Sequence, residues 1–539
     1  MLVRLGVVGG YFLILLVIGL LARSRHTAEP GDYFLAGRSL GTGVLLATMA
    51  ATNFSAFTVF GVSGAGYRDG LAFMPVMAFG TGFMALTFWL LGRRIRRLGA
   101  THGLITPSEL VQQTYGSTHL ARLTAVVLVV FTVPYLALQP LAAGSVLSQL
   151  FGIPYWVGAV GVAAVIVLYT LRGGMRAVIW TDVLQGALML VLMLSAVGMV
   201  VTHHGGWMTA FSAVAAQEPS LFSRPGLQSA YTPAIWFSFL ALWFFCDPMF
   251  PQLFQRFYAA RDDRALGRLA LWYPALCILV FGPPVLVGVL GHLSHPSLNA
   301  SEADGVFAAV MMTVGGDVAG TFILVAGLAA LMSSMDSQLL TLSSIVSRDL
   351  WPVVTRGRKG GVSTARGTVV VLAVLGLVVA LTTDATILDL GVTAFTGFAV
   401  LFPTVLFGLY LDNPRPAAAI ASILAGEAVA LAAHAGVLPT LGFLSAIPSM
   451  ACATMAYLAV HVTTGVAGSP RVAKHQALAI GAFGSIFLLA QDYWRWGETG
   501  TVLLGLPAWC WYFVALSFAQ MAVTRVVLLR HHPEHETST

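Results

Sequence analysis

Charge is what this 539-residue chain has least of. Asp, Glu, Lys and Arg together supply 9% of its residues, against roughly 25% in an ordinary soluble domain. Hydrophobic residues supply 58%, and the mean hydropathy is +0.84. So few charges cannot cover a water-facing surface of this size, which excludes a string of soluble domains and places the chain in a bilayer. Cysteine is scarce too: Cys246, Cys277, Cys452 and Cys510 lie in apolar stretches with no CxxC pair. That excludes a disulfide framework and a zinc site. No GxxxxGK[ST] run is present, so the chain carries no visible ATP motor. Nor does it show a nucleophile–base pair or a metal-ligand cluster at useful spacing, or a loop large enough for a catalytic domain, so it does not read as an enzyme.

What it has is apolar runs. A crossing helix needs about 20 apolar residues, and fifteen stretches qualify: 3–22, 43–66, 70–92, 122–150, 155–171, 180–202, 233–255, 268–291, 318–346, 367–383, 391–411, 416–435, 445–465, 475–491 and 505–529. The first is a retained helix rather than a signal peptide, because Arg4 is its only leading charge and Leu21-Ala22-Arg23 is a poor cleavage site. With the N-terminus outside, 24 of the 28 Lys and Arg residues fall on the inner side, leaving Arg4, Arg68, Arg224 and Arg495 outside. This asymmetry explains the net charge of +6 as a topology signal, and a nucleic-acid partner is not supported. The short tail His531 to Thr539 is then inside.

Polar residues and breakers within these spans are candidates for function, since an unsatisfied polar group in hydrocarbon is costly. The second span carries Thr52, Asn53, Ser55 and Thr58, whose side chains compete for backbone hydrogen bonds. The seventh is interrupted at Cys246-Asp247-Pro248 and again at Pro251. Interrupted helices thus open two successive groups of five spans, the arrangement expected of two inverted repeats. The ninth span places Ala330, Ser333, Ser334, Ser337, Thr341 and Ser344 on one face with Asp336 at its border. Such hydroxyls and carbonyls suit an alkali cation, not zinc. Asp182 sits just inside the sixth span, solvated at the interface or paired with Arg176. Each feature has a plain alternative as a small-residue packing face or a simple kink.

Four stretches carry a resemblance: Asp32–Arg38 (DYFLAGR), Gly173–Asp182 (GGMRAVIWTD), Gln255-Arg256-Phe257 and Ala330–Leu340 (ALMSSMDSQLL). They resemble the sodium:solute symporters, closest in their motifs to the bacterial proline- and pantothenate-type permeases, over spans one to thirteen. The resemblance implies an all-α polytopic membrane protein with the 5+5 inverted-repeat fold of the bacterial leucine transporter. On that fold, 1–42 is an extra helix and cytoplasmic loop, 43–411 the ten-helix core (repeats about 43–202 and 233–411), and 412–539 four added helices with a short tail.

It also implies ligands. One sodium would be held by the carbonyls of Ala51, Phe54 and Ala330 and the hydroxyls of Ser333 and Ser334, five oxygens around one cation. A second cation or proton site would use Asp182, Ser333, Asp336 and Ser337; here Asp336 replaces the family's hydroxyl, so a cation between the two carboxylates or a retained proton is required. The substrate pocket would be built from Asn53, Phe57, Thr58, Met77, Phe250, Pro251, Phe395 and Thr396. The sugar-transporting members' pocket Glu and Gln fall on Phe57 and Thr58, and their third-span Glu and Ser on Met77 and Gly80, which argues against a sugar and for an amino acid or small organic acid. The expected activity is sodium-driven symport by alternating access in the cell membrane, with no cofactor beyond Na+ as coupling ion, and lipid as its surroundings. The rivals are a proton-coupled carrier using Asp182 and Asp336, and a transporter-like sensor module. Glu427, in the twelfth span, is expected to pair with a neighbouring polar group, and 492–496 (DYWRW) to form an aromatic interface belt.

Overall fold

The computed structural model describes residues 1–21, 29–299, 302–463, 474–497 and 502–529. Arg23, Arg25, Arg471 and Arg530, used above to orient the chain, lie outside the described residues, as does the tail His531 to Thr539. The described chain is almost wholly helical; its one sheet is a hairpin pairing Val502–Leu503 with Leu506–Pro507.

After α1 (Leu2–Leu21) come α2 (Thr42–Asn53) and α3 (Phe57–Asp69), two halves of one span bent by 64°. Then follow α4 (Phe73–His102), α5 (Thr118–Phe151) and α6 (Tyr155–His203). A second bent pair, α7 (Pro233–Met249) and α8 (Pro251–Ala259), turns by 55° and leads into α9 (Asp263–Leu293). The series continues with α10 (Thr321–Ile345), α11 (Val362–Thr382), α12 (Ile387–Tyr410), α13 (Pro416–His434), α14 (Ala446–Thr463), α15 (Lys474–Leu489) and α16 (Ala508–Leu528). Among the described residues eleven helices are long and apolar enough to cross a bilayer, or thirteen when each bent pair is one span.

Two segments qualify that count: α6 is counted once, and α15 is not counted. α6 runs for 49 residues, about 74 Å if straight and more than twice the hydrocarbon thickness. Its backbone leaves the helical region at Gly174 (φ 57°, ψ −155°), where a Cβ would lie 2.7 Å from the Tyr33 ring. Only glycine fits both the turn and the close approach. α15 has 16 residues, short for a full crossing.

Both bends follow from local chemistry. At the first, Thr58 and Ser55 turn their hydroxyls onto the backbone; at the second, Pro248 and Pro251 remove two donors from the helical ladder. α10 runs through the middle of the bundle: every residue from Ile323 to Ile345 is buried, polar and apolar alike, as expected of a helix enclosed on all sides. α11 instead exposes Val370, Val371, Val374, Leu375 and Val378, a face suited to lipid. α3 and α9 approach backbone to backbone, since a Cβ on Gly66 would lie 2.6 Å from the Val285 carbonyl and one on Gly288 2.1 Å from that of Ser63.

The 492–496 segment is more than an interface belt. Asp492 is buried and pairs with Arg224 at 2.9 Å, and the guanidinium lies 5.1–5.5 Å from the rings of Trp236, Trp496 and Trp509. This ties the C-terminal helices to the loop before α7.

Candidate cation and substrate sites

The bend between α2 and α3 frees carbonyls by diverting the amides that would have capped them. Ser55 N–H donates to Thr58 Oγ1 (3.1 Å), Ala56 N–H to Gln139 Oε1 (3.1 Å) and Phe57 N–H to Ser55 Oγ (3.2 Å). In an unbroken helix these three would have satisfied the carbonyls of Ala51, Thr52 and Asn53. α10 answers with hydroxyls. Ser333 Oγ is 2.7 Å from Ala51 O and 3.0 Å from Ala330 O; Ser334 Oγ is 3.1 Å from Thr52 O and 3.4 Å from Phe54 O. The oxygens of Ala51, Phe54, Ala330, Ser333 and Ser334 are therefore gathered in one buried cluster. Two hydroxyl protons serve four carbonyls there, a set of hard oxygen ligands suited to a cation of single charge.

One turn further along α10 lies a second cluster. Tyr169 donates to Asp336 Oδ2 (2.8 Å), with Thr181 Oγ1 at 3.4 Å. Asp182 Oδ2 accepts from Thr48 (2.5 Å), Thr52 (3.2 Å) and the Arg256 guanidinium (3.0 Å). Ser337 Oγ links the two halves, 3.3 Å from Asp336 Oδ1 and 2.7 Å from Arg256 Nη2. All of these side chains are buried.

Arg256 is the residue that sequence reasoning misplaced. It counted as a cytoplasmic loop charge, yet it is fully buried and its partner is Asp182. Arg176, the partner considered for Asp182, instead pairs with Asp32 at 2.9 Å, and Asp182 is not solvated at an interface. The cluster thus holds two carboxylates and one guanidinium, so one negative charge rather than two is left for a cation or a proton. Ser333 faces the first cluster and makes no hydrogen bond to Asp336 or Asp182 among the described residues.

Beside the first cluster, α2, α3, α4, α5, α7, α9 and α12 contribute to a cavity of about 20 Å³, room for about one water. Asn53, Phe57, Thr58, Met77, Phe250 and Phe395 line it. Pro251 and Thr396 do not; the Thr396 hydroxyl donates back to Val392 O at 2.9 Å. Thr81, Tyr135, Trp243, Asp247 and Phe281 complete the wall. The Cys246-Asp247-Pro248 break was the available signal for Asp247, and the adjoining Pro134 was the one for Tyr135; Trp243, in an uninterrupted apolar stretch, gave none. Glu427 does not find the polar partner expected of it: neither carboxylate oxygen has a hydrogen bond among the described residues.

A wider cavity of about 680 Å³ opens at the end of the bundle where α3 and α5 finish, with Phe60, Glu302, Asp304 and Asp384 in its wall. Phe60 is three residues from Phe57, so one turn of α3 separates it from the inner cavity. At the opposite end Glu109 holds Arg348 (2.6 Å) and Lys359 (3.0 Å) together. Burial pushes the Glu109 carboxyl up, but the two cations and a backbone N–H bond more than offset this and hold it below the usual range.

Comparison with known proteins bears on the family and the fold. The sodium:solute symporter family profile matches residues 33–426. A sodium/proline symporter of Staphylococcus aureus (strain bovine RF122 / ET3-1) is 29% identical over 438 residues, covering 78% of this chain and 84% of that protein. The one from strain JH9 is 28% identical over 440 residues with the same coverage. Among solved structures, the substrate-bound outward-open state of a Na+-coupled sialic acid symporter superposes with a TM-score of 0.71 at 18% identity, over 87% of this chain and 99% of that one. A nucleobase-cation-symport-1 family transporter, Mhp1, gives 0.54 at 14% identity, over 82% and 96%. These structural likenesses concern the fold.

Proposed function

We propose that this chain, which belongs to the sodium:solute symporter family, is a plasma-membrane carrier that draws an amino acid or small organic acid inward with sodium. The observation that carries the reading is the gathering of the Ala51, Phe54, Ala330, Ser333 and Ser334 oxygens at the bend of α2 and α3. Sodium bound there joins two helix halves to α10 and so favours one arrangement of the bundle over another. Coupling needs no more than such a preference. Each charge moved gains about 2.3 kcal/mol per 100 mV of membrane potential.

On this reading the ten-helix core spans 43–411, and the whole chain makes fifteen crossings once α6 is divided at Gly174 and α15 is included, with an external N-terminus and an internal C-terminus. The wide acidic cavity is then the outer vestibule, and Glu109 with Arg348 and Lys359 an inner latch. Phe57 and Phe60 stand between vestibule and pocket. The aromatic wall of the pocket supports a small, partly apolar solute over a sugar, and the sodium/proline symporters among the relatives support an amino acid. Asp336, with the charge that Arg256 leaves over, is the second cation or proton site.

The test is uptake of a labelled amino-acid and organic-acid panel into proteoliposomes under a sodium gradient, an acid-outside gradient, or both. Uptake driven by sodium alone, and lost in Ser334→Ala, is expected. Uptake that needs only the acid gradient would overturn sodium coupling in favour of a proton-driven carrier.

A further inference from the structure

Asp247 is a carboxylate in the wall of the inner cavity, 2% exposed, at the point where α7 gives way to α8. Its hydrogen bonds among the described residues come from Asn53 Nδ2 (3.4 Å) and from the weak donor Cys246 Sγ (3.3 Å). No Lys or Arg among them donates to it, whereas buried Asp182 has Arg256 and buried Asp492 has Arg224. The rest of the wall is largely aromatic, with Phe57, Tyr135, Trp243, Phe250 and Phe395 in mutual ring contact at 5.0–5.8 Å. A carboxylate set among aromatic rings is the chemistry that receives an ammonium group, through a charge-assisted hydrogen bond and the negative ring faces.

The same wall holds two polar atoms with no partner among the described residues, Trp243 Nε1 and Thr81 Oγ1. Both can donate. Trp243 precedes Asp247 by four residues, one helical turn or about 5–6 Å away on the same face. The residues that carry an acceptor for positive charge and two unpartnered donors for negative charge therefore line one small cavity.

We infer that Asp247 is the residue that selects the substrate, by holding the ammonium of a small zwitterion whose carboxylate meets Trp243 Nε1 and Thr81 Oγ1. This rests on the symport reading above and narrows it: the solute is an amino acid, and an organic acid without an amine is excluded. Because the cavity admits only about one water, the aromatic wall must part for the solute to enter.

The experiment is thermal unfolding of the full-length purified protein with L-amino acids and with the 2-hydroxy acids of the same skeletons, in sodium and in potassium. A ligand that binds only the folded state raises the midpoint by mass action. At least one amino acid is expected to stabilise the wild type while its hydroxy acid does not, and Asp247→Asn should weaken the apparent affinity at least tenfold while keeping the sodium response. A hydroxy acid as effective as its amino acid overturns the assignment, and so does an Asp247→Asn variant that keeps the amino-acid response. A wild type that responds to sodium but to no amino acid overturns it too, and leaves the sodium reading standing. Loss of the sodium response in Asp247→Asn overturns it in favour of a cation ligand. An Asp247-dependent amino-acid response that is equal in sodium and potassium supports the assignment and brings down sodium coupling instead.

Discussion

Replacing Arg256 with Met keeps most of the stem's volume and removes the charge. The guanidinium donates to Asp182 Oδ2 (3.0 Å), Ser337 Oγ (2.7 Å), Gln252 O (3.1 Å) and Thr48 Oγ1 (3.3 Å), and both members of the ion pair are fully buried. A single hydrogen bond to a charged group is worth about 1.5–3 kcal/mol net, but an uncompensated buried carboxylate costs more, so the latter sets the scale. Breaking such a pair from one side costs about 3–5 kcal/mol, and Asp182→Asn should cost a similar amount by stranding Arg256. The double variant strands neither charge. Its destabilisation should fall short of the sum of the two single changes by about 1–3 kcal/mol. Unfolding in mixed detergent and dodecyl sulfate micelles, followed by tryptophan fluorescence, measures all three. Additive single effects would refute the view that Arg256 is there to neutralise Asp182 and would restore two free carboxylates to the second cluster.

Other changes test other parts. Glu109 lies outside the spanning helices and is held below the usual carboxylate range, so the stability it confers is complete above about pH 4.5 and lost only as pH falls through its lower folded value. The loss of melting temperature in Glu109→Gln should therefore be present at about pH 8 and shrink as pH falls below about 4.5, and a loss that persists undiminished in acid would contradict the charged latch. Gly288→Ala sets a Cβ 2.1 Å from the Ser63 carbonyl; it should destabilise by about 1–3 kcal/mol or more through overpacking of α3 on α9, and a neutral outcome in the same unfolding assay would disprove the close approach. Asp492→Asn leaves Arg224 buried without a carboxylate and should cost about 3–5 kcal/mol. Protease cutting between α15 and α16 should then become faster; an unchanged rate would show that the pair does not anchor the C-terminal helices.

Much of the fold was legible because the bilayer imposes a single rule: backbone groups must be satisfied within helices, and interruptions need a reason. The serines of α10 and the bend after Asn53 could be read from spacing and residue type, since both act through their own backbone neighbourhood. Charged partners were harder. Arg256 sits at the end of an apolar stretch, where a cytoplasmic Arg and a buried one look alike in sequence; only the return of α8 toward Asp182 tells them apart. The Arg224–Asp492 pair joins residues 268 positions apart, and no periodicity encodes it. Asp247 was visible as part of a break but not as part of a cavity wall, because the other side of that wall comes from α4, α5 and α12. Gly174 was legible as a loop, though its close approach to Tyr33 depends on the packing of the segment at 30–35.

The central claim is that sodium binds where the bend of α2 and α3 meets Ser333 and Ser334. Direct binding of radioactive sodium to the purified protein, competed with unlabelled sodium or with potassium, measures it. The account predicts saturable binding displaced by sodium and not by potassium, abolished when Ser333 and Ser334 are both changed to Ala, and retained in Asp247→Asn. Undiminished sodium binding by the double serine variant would contradict it.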